Sequence, residues 1–340
     1  MNLEQLEKTA IALAEPGKGI LAADESTGTN AKRFKTINLE PNEESRRAYR
    51  NMLFTSDGIE NYISGVILFD ETIRQSSLND VPFPKLLSEK GVIPGIKVDK
   101  GAHPLAGFED EFVTDGLDGL RDRLSEYYEL GARFAKWRAV ITIGEDAPSF
   151  ACVDANAHAL ARYSALCQEA NIVPIVEPEI LMNGNHSIGT SFDVTVDVLS
   201  AVFESLTSMD VFLEGIILKP NMVLSGYDGS NQASVNEVAE ATVTCFQRSV
   251  PVAVPGICFL SGGQKDITAT EHLNAMNQLE TEKPWKISFS YGRALQDAAL
   301  STWKGDENKV SAAQSAFIHR AKCNGAATTG HYSEAMESGE

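Results

Sequence analysis

In the stretch EGIILKPNM, residues 214–222, Lys219 closes an apolar run and is followed at once by Pro220. A desolvated lysine sheds its proton more readily and then attacks carbonyl carbon, so this residue is a candidate nucleophile. Two other apolar runs end in groups that could serve it: RFAKWR (133–138) carries Lys136 and Arg138, and VPIVEPE (173–179) carries Glu177 and Glu179. Lys136 offers a second cation, which favours a neutral neighbouring amine. The two glutamates share one side of an extended chain, and paired carboxylates in different surroundings can pass protons.

Other segments read as anion cradles. FLSGGQ (259–264) and SFSYGR (288–293) combine Ser261, Gly262 and Gly292, where backbone N–H groups can approach a ligand closely, with the guanidinium of Arg293. DESTGTNAKR (24–33) follows another apolar run with Asp24 and sets the hydroxyls of Ser26 and Thr29 beside Lys32 and Arg33, a second place for an anion. Ser26 or Thr27 could equally be a plain helix cap. Lys97 in PGIKVD (94–99) and Asp70 in GVILFD (65–70) complete the set of charged run-ends. The six histidines form neither HxH nor HExxH, and none closes a run, so no catalytic metal is expected.

These residues need a scaffold that brings many run-ends to one place. Eight β-prone apolar runs recur along the chain, beginning with GILAAD (19–24) and closing with KISFSYGR (286–293). Between them lie stretches such as VNEVAEATVTCFQRS, with apolar residues spaced by three and four. Continuous apolar strands alternating with helices predict a parallel sheet, and eight units predict a closed (β/α)8 barrel with its chemistry at the C-terminal strand ends. The competing fold, a doubly wound open sheet, would carry a Gly-rich dinucleotide turn that GILAADESTGTNAKR lacks. One domain is expected over residues 1–322, followed by a small, polar, flexible tail over 323–340.

The formal charge of −18 repels phosphate backbones and anionic membrane surfaces, so neither nucleic acid nor membrane is an expected partner. No run reaches the roughly 18 apolar residues of a membrane span. Five cysteines without a CxxC pair suit a reducing compartment, and MNLEQLEKTAIALAEPGKG reads as an amphipathic helix stopped by Pro16 and Gly17 rather than a secretory signal. A cytoplasmic protein is expected, or one of the plastid stroma whose transit peptide has been removed.

GKGILAADES, YISGVILF, GIKVDKG, FAKWR, IVPIVEPEI, LKPNM, FLSGGQ and SFSYGRALQ occur in that order, and across residues 5 to 330 the chain closely resembles class I fructose-bisphosphate aldolase. The resemblance implies reversible cleavage of fructose 1,6-bisphosphate, without metal or cofactor, through a Schiff base on Lys219. Glu177 would then handle protons with Glu179 beside it, Asp24 would take the C4 hydroxyl proton, and Lys136 would hold charge next to the imine. The phosphates would lie at opposite rims, one on Ser261, Gly262, Gly292 and Arg293, the other on Ser26, Thr29, Arg33 and Lys97, with Arg138 also contacting substrate. A homotetramer is implied as well. Many members end in a tyrosine that reaches the site, whereas the last aromatic here is Tyr332, so no catalytic role is carried over to the tail.

Overall fold

A computed structural model describes residues 1–338. The first strand, β1 (Gly19–Ala23), pairs with β2 (Ile63–Leu68), which pairs with β3 (Ile93–Lys97). A short antiparallel hairpin, β4 (Ala102–Pro104) and β5 (Phe112–Thr114), precedes β6 (Phe134–Ile141), which joins β3 in parallel. The chain continues through β7 (Val173–Ile180), β8 (Ile217–Leu218), β9 (Gly256–Phe259) and β10 (Lys286–Tyr291), and β10 returns to β1 to close an all-parallel barrel of eight strands. Helices connect the strands on the outside. The expected (β/α)8 barrel is therefore present, and closure rules out the open sheet.

The strand period of two explains how one chain supplies both a floor and a reactive rim. Inward positions low in the barrel are apolar: Ile20, Phe134, Val173, Ile175, Ile217 and Cys258. Two or four residues further along the same faces stand Asp24, Lys136, Glu177 and Lys219. The intervening residues, such as Trp137, Val176 and Leu218, face the surrounding helices and join the larger outer core. A helix at Leu3–Leu13 closes the bottom of the barrel, burying Leu6, Ala10 and Leu13 at the spacing of one helical face.

Packing at the floor leaves little slack. A Cβ built on Gly95 would lie 2.3 Å from the Phe134 ring, so the glycine of β3 is what admits that ring. Gly95→Ala is expected to destabilise the fold by about 1–3 kcal/mol through overpacking, measured as a lower urea midpoint with an unchanged slope.

Three expectations need correction. The β-prone run PVAVPGICFLS (251–261), the seventh of the eight, is not strand from its start: β9 begins at Gly256, because Pro251 and Pro255 have no N–H to give a ladder. The β4–β5 hairpin was not anticipated, since its first strand is three exposed residues ending in a proline. The domain boundary at 322 falls inside the last helix, Val310–Ala327, which buries Cys323, Asn324, Gly325 and Ala327. Beyond it Tyr332 is buried and a turn spans Glu334–Ser338, so the polar composition of this segment does not make it solvent-facing throughout. No helix among the described residues is long and apolar enough to cross a membrane.

Candidate active site

The barrel opens at its C-terminal end into a cavity of about 1100 Å³, and every site residue expected from the sequence lines it. At its base four charged side chains form a continuous chain. Lys219 Nζ lies 3.1 Å from Glu177 Oε1; Glu177 Oε2 lies 3.6 Å from Lys136 Nζ; and Lys136 Nζ lies 2.7 Å from Asp24 Oδ2. Their side chains are 4–11% exposed, so the charges are compensated by each other rather than by water.

The order of this chain matters. Lys136 was expected to supply a second cation near Lys219, with Glu177 on the strand between them in ion-pair reach, and the Glu177 carboxylate does stand between the two ammonium groups. β6, β7 and β8 are consecutive in the barrel, so the middle strand delivers the middle charge. Glu177 Oε2 is buried without a hydrogen-bond partner, leaving an acceptor for a substrate hydroxyl or a transferred proton.

Burial alone would raise the pKa of Asp24, but the ammonium groups of Lys136, Lys219 and Lys97 outweigh it and hold the group at about 2. Burial opposes the charge on Lys136, yet Asp24, Glu177 and Asp99 keep its pKa above the ordinary lysine range. Beneath Lys219, burial pushes the Cys258 thiol up to about 12, so it stays protonated and offers no competing nucleophile. Glu179 does not join the chain; it holds the guanidinium of Arg138, which is pushed further up by that contact despite its burial.

The loops after β9 and β10 make the first anion cradle. Gly262 and Gly263 adopt φ of 59° and 91°, values that favour glycine and turn the backbone after the buried Ser261. Tyr227 Oη donates to the Gly262 carbonyl at 2.8 Å and steadies the turn. Helix Arg293–Trp303 begins at Gly292 with no side-chain cap, so its first N–H groups remain for a ligand.

The second cradle differs from expectation. Ser26 does cap helix Thr27–Lys35, its Oγ accepting from Thr29 N at 3.3 Å and lying 3.1 Å from Thr29 Oγ1. Arg33 is not free for an anion: Glu25 holds it, Asp297 lies 2.9 Å away, and it donates to Gln296 at 3.1 Å. Since β1 adjoins β10, Arg33 packs against the helix that begins with Arg293 and so belongs to that side of the cavity. Lys97 is likewise engaged, at 2.5 Å from Asp99 Oδ1.

A family model described as class-I fructose-bisphosphate aldolase, of the glycolytic type, matches residues 5–340. The chain belongs to the class I fructose-bisphosphate aldolases. It is 58% identical to a probable fructose-bisphosphate aldolase class 1 from Xylella fastidiosa (strain 9a5c), covering 98% of this chain and 99% of that protein. It is 52% identical to the cytosolic fructose-bisphosphate aldolase 4 of Arabidopsis thaliana, over 99% and 86% of the two chains. A solved fructose-bisphosphate aldolase from Plasmodium falciparum, crystallised with TRAP and a small-molecule inhibitor, superposes with a TM-score of 0.96 at 47% identity, covering 97% and 96%.

Three residues of the aldolase site escaped sequence reasoning. Asp99 is buried and fixes Lys97; it ends the run PGIKVD, and its place two residues beyond Lys97 on the same face was the available signal. Glu25 bridges Arg33 and the fully buried Arg50, the latter at 2.5 Å. No local pattern marks Arg50, which lies in helix Glu43–Phe54 among residues of ordinary helical type. Asp70, expected among the rim charges, lies apart from the central chain and pairs with Arg74 at 3.0 Å and with Tyr127 Oη at 2.8 Å.

Proposed function

We propose that this aldolase cleaves fructose 1,6-bisphosphate reversibly to dihydroxyacetone phosphate and glyceraldehyde 3-phosphate through a Schiff base on Lys219. The observation that carries the proposal is the buried run of alternating charges from Lys219 through Glu177 and Lys136 to Asp24. In this proposal the four groups of one cavity serve as nucleophile, proton carrier, fixed cation and second carboxylate.

In this reading Lys219 passes a proton to Glu177 and its amine adds to the C2 carbonyl carbon of the open-chain sugar. Glu177 returns protons as the carbinolamine oxygen leaves as water. The resulting iminium draws the electron pair of the C3–C4 bond into an enamine, while the C4 hydroxyl proton passes to Asp24. Pairing with Lys136 keeps Asp24 ionised before substrate arrives; its strength as a base grows as the C4 hydroxyl displaces that contact. Glyceraldehyde 3-phosphate departs, C3 of the enamine takes up a proton, and water releases dihydroxyacetone phosphate from Lys219. Glu179, bound to Arg138, shapes the surroundings of Glu177.

Ser261, Gly262, Gly292 and Arg293 would hold one phosphate, and Ser26, Thr29 and Lys97 the other, with Arg33 turning from its carboxylates toward substrate. Arg293→Ala should raise KM and lower kcat/KM by roughly 10- to 100-fold, the loss of a charged hydrogen-bonding partner, measured by steady-state cleavage of the bisphosphate.

Borohydride reduction with dihydroxyacetone phosphate, followed by peptide mapping, tests the central claim. Stoichiometric labelling of Lys219 with loss of activity is expected; no label, or a label elsewhere, would overturn it. Full activity in EDTA is expected from a reaction that recruits no metal. Family membership also supports a homotetramer, to be weighed by light scattering. It supports as well cytoplasmic residence, or the plastid stroma, and service in glycolysis, gluconeogenesis or the Calvin cycle.

A further inference from the structure

Outside the cavity, among the described residues, one cluster gathers three ligand types that the reaction does not use. His319 and Cys323 stand one turn apart on helix Val310–Ala327, on the same face, with Nε2 and Sγ 3.8 Å apart. The turn Glu334–Ser338 folds back to place Glu337 Oε2 3.7 Å from the same Nε2. All three ligand atoms lie within 4.8 Å of one another.

We propose that His319, Cys323 and Glu337 bind one borderline-soft divalent cation, zinc by donor type, that clamps the C-terminal turn onto the last helix. Imidazole, thiolate and carboxylate are each zinc donors, and three protein ligands with a fourth position for water suit the ion's tetrahedral geometry. Bonds of about 2.0–2.3 Å in tetrahedral geometry put ligand atoms roughly 3.3–3.7 Å apart, so the cluster needs only small contractions to close on an ion. The thiol proton leaves to solvent as the metal–sulfur bond forms.

The surroundings point the same way. Glu337 is oriented by Arg320 Nη1, at 2.5 Å from Oε2, and by Tyr332 Oη, which donates to Oε1 at 2.8 Å. A ligating carboxylate is usually fixed by such outer partners. Arg320 Nη2 in turn donates to Thr270 at 2.7 Å, which ties the assembly to helix Asp266–Gln278. Met336, next to Glu337, packs against the outer core, so the turn is already seated where a metal would lock it.

Titration of the full chain with cobalt(II) at neutral pH tests this. One equivalent is expected to give tetrahedral ligand-field bands with a sulfur-to-cobalt charge-transfer band, both bleached by zinc. Cys323→Ser should lose the charge-transfer band while keeping aldolase turnover, since Cys323 lies outside the cavity, although a hydroxyl at this buried position lowers the metal-free Tm. Glu337→Gln should weaken cobalt binding at least tenfold yet keep the sulfur band. His319→Ala, altering a partly exposed side chain, gives the same loss of affinity should the Cys323 variant fold poorly. Zinc should also slow proteolysis at the C-terminal turn, an effect absent from Cys323→Ser. No sulfur band at one equivalent, or a band that survives Cys323→Ser, would overturn the site and leave His319 and Glu337 as a surface ion pair.

Discussion

Lys219→Met is expected to lower kcat by roughly ten thousand-fold or more and to abolish borohydride trapping, as removal of a covalent nucleophile does. Methionine keeps much of the side chain's length and apolar stem, so the loss reports on the amine rather than on a cavity. Glu177 then loses the partner at 3.1 Å but retains Lys136 at 3.6 Å. The stability cost should therefore fall below the roughly 3–5 kcal/mol of a buried charge left wholly uncompensated. Single-turnover assays together with urea melts separate the two effects. A folded variant that still cleaves substrate at more than a hundredth of the native rate would remove Lys219 from the chemistry.

The same geometry explains why Lys219 was legible as a candidate nucleophile before any coordinates. A barrel strand alternates inward and outward, and in this fold the inward residues at the C-terminal end face the cavity. Lys219, Glu177 and Lys136 were therefore assigned to one rim from run-ends alone. The partners of the anion-binding residues were another matter. Arg33 is held by Asp297, 264 residues away, and local spacing carries no trace of such a contact. Asp99 was passed over because Lys97 was taken as the reactive charge of PGIKVD, although that run closes on Asp99, two residues beyond the end of β3. The tail misled for a different reason. Asn324 reads as loop-like, yet its side chain accepts from Thr270 at 2.8 Å and donates to the Arg320 carbonyl at 3.0 Å. Polarity satisfied by hydrogen bonds can be buried as securely as apolar surface, and composition does not distinguish the two.

Lys136→Met is expected to be the most destabilising change in the site, because its ammonium is the cation placed between two buried carboxylates. With it gone, Asp24 loses its partner at 2.7 Å and Glu177 keeps only Lys219. A cost of about 3–5 kcal/mol follows from stranding a buried charge, with kcat falling a further hundred- to thousandfold as charge beside the imine is lost. The pH dependence gives the decisive sign. In the native protein Asp24 has a folded pKa of about 2 against the 3.8 of an ordinary aspartate, so its stabilisation is fully present above pH 3.8 and disappears as pH falls through about 2. That contribution is on the order of 2 kcal/mol. In the variant, burial is opposed only by Lys219 and Lys97, so the folded pKa rises and the acid-side loss shrinks. Urea melts at pH 3, 5 and 7 should thus show the variant less stable at pH 7 but closer to the native protein at pH 3. Lys136→Arg should recover part of the stability, since charge is kept, and little of kcat, since a planar guanidinium cannot sit between Asp24 and Glu177 as an ammonium does. A constant stability difference across the three pH values would mean that Lys136 acts through packing and not through its pairing with Asp24.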